Sequence, residues 1–317
     1  MSRLQCVAAF YKFVHLRDVH AVRDELEGLC GERGLRGTLR VAHEGINATL
    51  VGEAMALESL VECLRGDPRF EKMLVTYSRA AGGNPVFRYL SVRVRSEIVA
   101  FGVNGIDPGA ATGRHVSAQD FNALLSDPDV VVVDARNQYE TDIGSFTGAQ
   151  RSGTASFREF PGFAEKHLTG KQDVPIAMCC TGGIRCEKAS ALLLQRGFRN
   201  VYQLDGGILN YLASIDRSDS RWNGELYVFD QRVTVDPALE QGGYVQCHAC
   251  RRPVSRRARH SESYQAGISC PACYDGLGIA QRRALAERKR QVALAAQRGD
   301  SHIGADMTAL RARKRVS

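Results

Sequence analysis

Two short apolar runs, about forty residues apart, constrain the fold of this chain more than any other feature. Val130-Val131-Val132-Val133 leads into Asp134-Ala135-Arg136, and residues 174–179, VPIAMC, lead into Cys180-Thr181-Gly182-Gly183. A strand apolar on both faces must be covered on both faces, the usual condition of a parallel strand in an α/β sheet. Helical patterns accompany the runs. Residues 117–125 open on the capping residue Ser117, and residues 187–196 set Ala189, Leu192 and Leu193 on one side before Gly197 stops them. Residues 200–208, NVYQLDGGI, add a strand and a Gly-Gly turn. Strands alternating with helices predict an open α/β sheet with mostly parallel strands.

The first hundred residues follow another plan. Residues 5–14 read as a strand, and the start of the chain is read as that strand rather than as a signal peptide. Residues 18–30 are helical, with Val19, Val22, Leu26 and Leu29 on one face and Gly31 as a stop. Residues 37–52, GTLRVAHEGINATLVG, predict two strands joined through Glu44-Gly45-Ile46-Asn47. A helix over 54–64 and a last strand over 87–94 complete the order β-α-β-β-α-β, an α+β ferredoxin-like (acylphosphatase-like) fold. The expected division is therefore this domain over 1–100, a Gly-rich linker over 101–116, the α/β domain over 117–217, and a C-terminal segment over 218–317.

That last segment carries the charge. Residues 251–317 hold 15 Lys and Arg against 5 Asp and Glu, while the rest of the chain holds 27 against 30. The net charge of +7 thus belongs to the tail, a distribution that suits a polyanion partner. The same segment holds Cys247, Cys250, Cys270 and Cys273, spaced C-x2-C-x19-C-x2-C. Four thiolates at this spacing suit a tetrahedral structural zinc site, so a small zinc-ribbon-like basic tail is expected, ending in a helix over about 278–298. No apolar run approaches the ~18 residues of a membrane span. Ten cysteines without an export signal predict a cytoplasmic chain of reduced thiols, with Cys6, Cys30 and Cys63 as core residues.

The remaining thiols crowd one loop, CCTGGIRCEKA over 179–189. A strand, a glycine turn and a helix start point backbone amides and partial positive charge inward, which lowers the pKa of a cysteine at the strand end. Arg185 is expected to add a fixed cation for a bound anion, and Thr181, Gly182, Gly183, Ile184 and Cys186 complete the candidate loop. Two registers fit. From Cys179 the loop reads C-x2-G-x2-R, as in cysteine phosphatases; from Cys180 it reads C-x2-G-x-R, as in rhodaneses.

The flanking segments resemble the rhodanese family over about 100 residues: VVVDARNQYE (131–140), GSFTGA (144–149) and GFRNVYQLDGGILNY (197–211). The resemblance implies Cys180 as nucleophile, with Asp134 and Arg136 in support. CTGGIRCEKA (180–189), HEGINATLVG (43–52) and GISCPAC (267–273) are similar to the bacterial tRNA uridine hydroxylases that carry a rhodanese domain, over nearly the whole chain. This implies oxygen-dependent formation of 5-hydroxyuridine at the wobble position of tRNA, with molecular oxygen as co-substrate, a separate electron donor and an essential Cys180. Alternatives are a sulfurtransferase working through a Cys180 persulfide and a non-catalytic RNA-binding module. No HxD…H triad, haem-attachment motif or clear flavin fingerprint accompanies the loop.

Overall fold

The computed structural model describes residues 5–80 and 86–298, and the chain divides into two compact units, Met1–Gly242 and Gly243–Ser317. The first unit opens with a sheet of β1 (Gln5–Phe13), β2 (Arg36–Ala42), β3 (Gly45–Gly52), β4 (Val75–Ala80) and β5 (Leu90–Val94), accompanied by α1 (Val19–Glu32) and α2 (Ala54–Arg65). The strand order is β4-β1-β3-β2-β5, and the first four neighbours are antiparallel, the ferredoxin-like arrangement. Asp18 caps α1 through its side chain, accepting from the amides of His20 and Ala21. Alternation along the strands decides which residues enter the core: Ala8, Phe10, Leu39, Val41 and Ile46 pack with Leu26, Leu57 and Leu60 of the helices. Tyr11, Thr38, Arg40 and Asn47 alternate with these core residues and fall on the opposite face.

Two local expectations change. The strand expected over 87–94 is β5, a parallel edge strand beside β2, and β4 fills the closing position. β4 reads VTYSRA, and its polar residues on both faces mask the alternation. The hairpin connection is His43-Glu44 alone, since Gly45, Ile46 and Asn47 already pair in β3. Gly45 takes φ 138°, and a side chain there would collide with the Lys12 carbonyl.

A second sheet follows, built from β6 (Arg114–Val116), β7 (Val131–Asp134), β9 (Gln150–Arg151), β10 (Ile176–Cys179) and β11 (Val201–Leu204), after which β8 (Gly144–Phe146) forms a separate ribbon. The order β6-β11-β10-β7-β9 is parallel throughout. The helices α3 (Ala118–Ser126), α4 (Gln138–Thr141), α5 (Phe160–Leu168), α6 (Ile184–Gln195) and α7 (Gly207–Ser214) complete the layers. One core cluster joins Val133, Ile176 and Met178 to Phe160, Leu193 and Phe101; the other joins Val132, Ala177 and Leu204 to Phe121, Tyr211 and Trp222.

The segment read as a linker is not a loose one. Phe101 lies in the α/β core, its ring 4.8 Å from that of Phe157, and β6 is an edge strand of the sheet. Residues 218–242 belong to the first unit rather than to the tail. There β12 (Trp222–Gly224) pairs with β8, while β13 (Leu226–Tyr227) pairs with β14 (Thr234–Val235), burying Trp222, Leu226 and Val235. Strands of two or three residues leave no periodic signal to read.

The second unit contains a hairpin of β15 (Val245–Gln246) and β16 (Pro253–Val254), then α8 (Ile279–Gln297), whose bounds fit the expected basic helix. The charges at 311–317 lie outside the described residues.

Candidate active site

Cys179 and Cys180 leave β10 at the carboxyl end of the parallel sheet, where α/β folds bind their ligands. Pleating sends the two sulfurs to opposite cores: Cys179 joins the cluster of Ala177 and Tyr211, and Cys180 that of Met178 and Cys186. Helix α6 starts at Ile184, three residues before the expected start, so the turn spans only Thr181-Gly182-Gly183. Gly183 takes φ 93° and Gly207 φ 65°. A Cβ on Gly207 would sit 2.5 Å from both the Cys180 carbonyl and the Gly183 amide, so the Gly-Gly turn is what lets α7 support the loop. There the amides of Ile208 and Leu209 donate to the carbonyls of Cys180 and Thr181 at 2.9 and 3.0 Å.

The Cys186 thiol, the Arg185 charge and the amides of Cys186 and Arg185 surround the Cys180 sulfur and favour its anionic form. Burial alone raises a thiol pKa; here the Cys186 thiol, the Arg185 charge and the two amides outweigh burial and bring Cys180 down to about 6. Burial, with the Cys180 charge beside it, pushes Cys186 well up, so Cys186 is the donor and Cys180 the thiolate. Burial and the Asp134 charge likewise hold Cys179 as a thiol.

Arg185, expected as a fixed cation for a bound anion, carries a carboxylate partner of its own. Its terminal nitrogens sit 2.6 and 2.8 Å from the two carboxylate oxygens of buried Glu140, and one donates to the Thr181 hydroxyl at 3.1 Å. The pair braces the loop from α4, and Phe229 lies over the guanidinium at 5.6 Å. Asp134 and Arg136 pair with each other at 2.6 Å, fully buried, and Arg136 also donates to the Gly144 carbonyl and packs over Trp222. They secure β7 against β8 and do not line the cleft.

That cleft, of about 480 Å³, is lined by the loop and by the face of the first sheet that bears Tyr11. Cys180, Thr181, Gly182, Ile184 and Arg185 line it from the loop and α6, and Tyr11, Thr38, Arg40 and Asn47 from the first sheet, whereas Gly183 and Cys186 do not line it. The EGIN segment holds the two together. Glu44 pairs with buried Lys188 of α6 at 2.8 Å and accepts from the Ile98 amide, while Asn47 donates to the Ile98 carbonyl at 3.0 Å.

The family model described as UPF0176 acylphosphatase like domain matches residues 5–98, and the rhodanese-like domain model matches residues 117–214. A protein of Teredinibacter turnerae named tRNA uridine(34) hydroxylase is 43% identical over 298 residues, covering 94% of this chain and 92% of that protein. This chain belongs to the tRNA uridine(34) hydroxylase family. Among solved structures, a rhodanese-related protein of Thermoplasma volcanium is 24% identical, covering 32% of this chain and 91% of its own, with a TM-score of 0.26. A single-domain sulfurtransferase of Saccharomyces cerevisiae is 19% identical, covering 32% and 90%, with a TM-score of 0.27.

In this hydroxylase-family chain the second unit assembles a candidate metal centre. Cys247, Cys250, Cys270 and Cys273 bring their sulfurs within 4.8 Å of one another, with separations of 3.6 Å for Cys250 to Cys270 and 3.8 Å for Cys247 to Cys273. A tetrahedron with metal–sulfur bonds of about 2.3 Å has edges of about 3.8 Å, so the cluster can hold a metal ion. Of the other thiols, Cys30 is buried and Cys6 partly so, but Cys63 is exposed, contrary to the expected core position. Sequence reading also missed Glu140, Tyr11 and Phe229 as parts of the site. Glu140 stands inside the VVVDARNQYE segment, the one available signal; Tyr11 and Phe229 reach the loop only through tertiary packing.

Proposed function

We propose that this protein hydroxylates uridine 34 of tRNA to 5-hydroxyuridine, an oxidoreductase reaction in which Cys180 is essential. The near full-length match to the relative of that name carries the reading. The thiolate at the cleft supports it. C5 of uracil reacts poorly with oxygen until a nucleophile adds at C6; in this reading the Cys180 sulfur makes that bond and turns C5 into an enolate carbon. The enolate carbon bonds one atom of molecular oxygen, and the other leaves as water with two electrons from a separate donor and two protons. Loss of the C5 proton and of the sulfur then restores the ring.

The basic second unit suits tRNA phosphates, with Arg251, Arg252 and Arg256 close to the cysteine cluster in sequence. No helix among the described residues is long and apolar enough to cross a membrane, and a tRNA substrate suits the cytoplasm. Nucleoside analysis of tRNA from cells with and without the protein tests the function. Loss of 5-hydroxyuridine supports it, and loss of a thiolated base would instead favour persulfide transfer.

The metal is proposed to be zinc, since four thiolates form its common closed structural site. Elemental analysis of purified protein should find about one zinc per chain, falling to near zero in Cys247→Ser/Cys270→Ser. Full zinc in the double variant would place the ion elsewhere.

A further inference from the structure

Tyr11 of the first sheet reaches the reactive loop and the first turns of α6. Its hydroxyl lies 2.9 Å from Oε1 of Glu187 on α6, and a Cβ placed on Gly183 would sit 2.8 Å from the same oxygen. Tyr11 lines the cleft together with Cys180.

The surroundings of Glu187 determine what that hydroxyl can do. Its Oε2 accepts from the Thr112 hydroxyl at 2.7 Å and from Nε2 of Gln203 at 2.9 Å. Nε2 of His115 faces Oε1 at 3.4 Å, while its Nδ1 meets Asp205 at 3.0 Å. Hydrogen bonds to Asp205 and Glu187 raise His115 to about 10, and Nε2 of the same ring also meets Nε2 of Gln203 at 2.8 Å. Burial favours the neutral acid for Glu187, but the His115, Thr112 and Gln203 donors prevail and hold it ionised. Thr112 and Gln203 thus donate to this carboxylate, and an ionised carboxylate only accepts. A phenol has one proton. With that proton given to Glu187, the oxygen of Tyr11 offers the cleft a lone pair and no donor.

Uracil and cytosine differ at the edge such an oxygen would read. Uracil carries a proton on N3; cytosine carries a lone pair there. We propose that Tyr11 is a specificity-determining residue whose oxygen accepts the N3–H of the target uracil and thereby rejects cytosine. This rests on the reading of the chain as a tRNA uridine hydroxylase. Opposing two lone pairs in a closed site leaves both unsatisfied, and sites built around a substrate N–H reject analogues lacking it far more strongly than apolar pockets reject a missing methylene. The remote partners Glu187 and His115 act through Tyr11 by fixing where its proton points.

Binding tests this without the electron donor. The full chain is titrated with anticodon stem-loop RNAs that differ only at position 34, carrying uridine, cytidine or 3-methyluridine. The native protein should bind the uridine RNA roughly ten- to a hundredfold more tightly than the other two. Tyr11→Phe should bind uridine and cytidine RNAs within about twofold of each other. The pH profile of Cys180 alkylation in Tyr11→Phe checks that the loop survives. Equal binding of uridine and cytidine RNAs by the native protein would overturn the proposal, with no variant needed. So would a Tyr11→Phe chain that keeps the native preference. Tight, discriminating binding with no 5-hydroxyuridine in cellular tRNA would instead count against the hydroxylase reading, separating the two failures.

Discussion

Replacing Cys180 by serine should abolish 5-hydroxyuridine formation, a loss of roughly a thousandfold or more, while Cys179→Ser should retain most of the activity. The two sulfurs are neighbours in sequence, but each belongs to a different core. Cys180 alone receives the Cys186 thiol and two loop amides, and Cys180 alone lines the cleft. A serine hydroxyl there would stay protonated at neutral pH, since the loop lowers a thiol only to about 6. Alkylation supplies a second readout. The Cys180 pKa is depressed, so reactivity should rise as pH rises through about 6 and level off above it, whereas an ordinary thiol keeps gaining until about 8.5. Cys179, held as a thiol, should stay unlabelled over this range. Nucleoside profiles in which Cys179→Ser is dead and Cys180→Ser active would reinstate the longer, phosphatase-like register.

The parts of this site legible in sequence are those set by local chemistry. Val130-Val131-Val132-Val133 announces a buried strand because a parallel strand is apolar on both faces, and the glycines after Cys180 announce a turn of amides. The four tail cysteines follow a spacing that few other uses require, and they do converge. Tyr11 carried no such mark. In β1 it reads as one aromatic residue among several, and its role depends on Glu187, 176 positions away. Arg185 shows a subtler limit. Its place in the loop was readable, but its partner Glu140, which takes both of its terminal nitrogens, was not. The extent of the first unit was hidden for a related reason. Trp222 and the short strands around it bury themselves against β8, and no periodic pattern records such pairing.

That Arg185 pairing leads to the second large effect. Glu140 is fully buried and gives both oxygens to Arg185, while Oε1 also accepts from the Asn137 amide at 3.1 Å. Glu140→Ala would leave a guanidinium in the interior without its counter-charge, a loss of about 3–5 kcal/mol. In a unit of this size that lowers Tm by roughly 6–20 °C, measurable by calorimetry. The double variant Glu140→Leu/Arg185→Met should recover much of the loss, because removing both charges costs far less than stranding one. The thiolate reports the same balance with opposite signs for the two partners. Glu140→Gln exposes Cys180 to an uncompensated cation, so its alkylation midpoint should move below 6; Arg185→Gln leaves a carboxylate nearby, so the midpoint should move above 6. If both variants shift the midpoint the same way, the loop amides and Cys186 set the pKa without the ion pair. If Glu140→Ala unfolds at the native temperature, the guanidinium has found another partner and the pair is not what holds α4 to the loop.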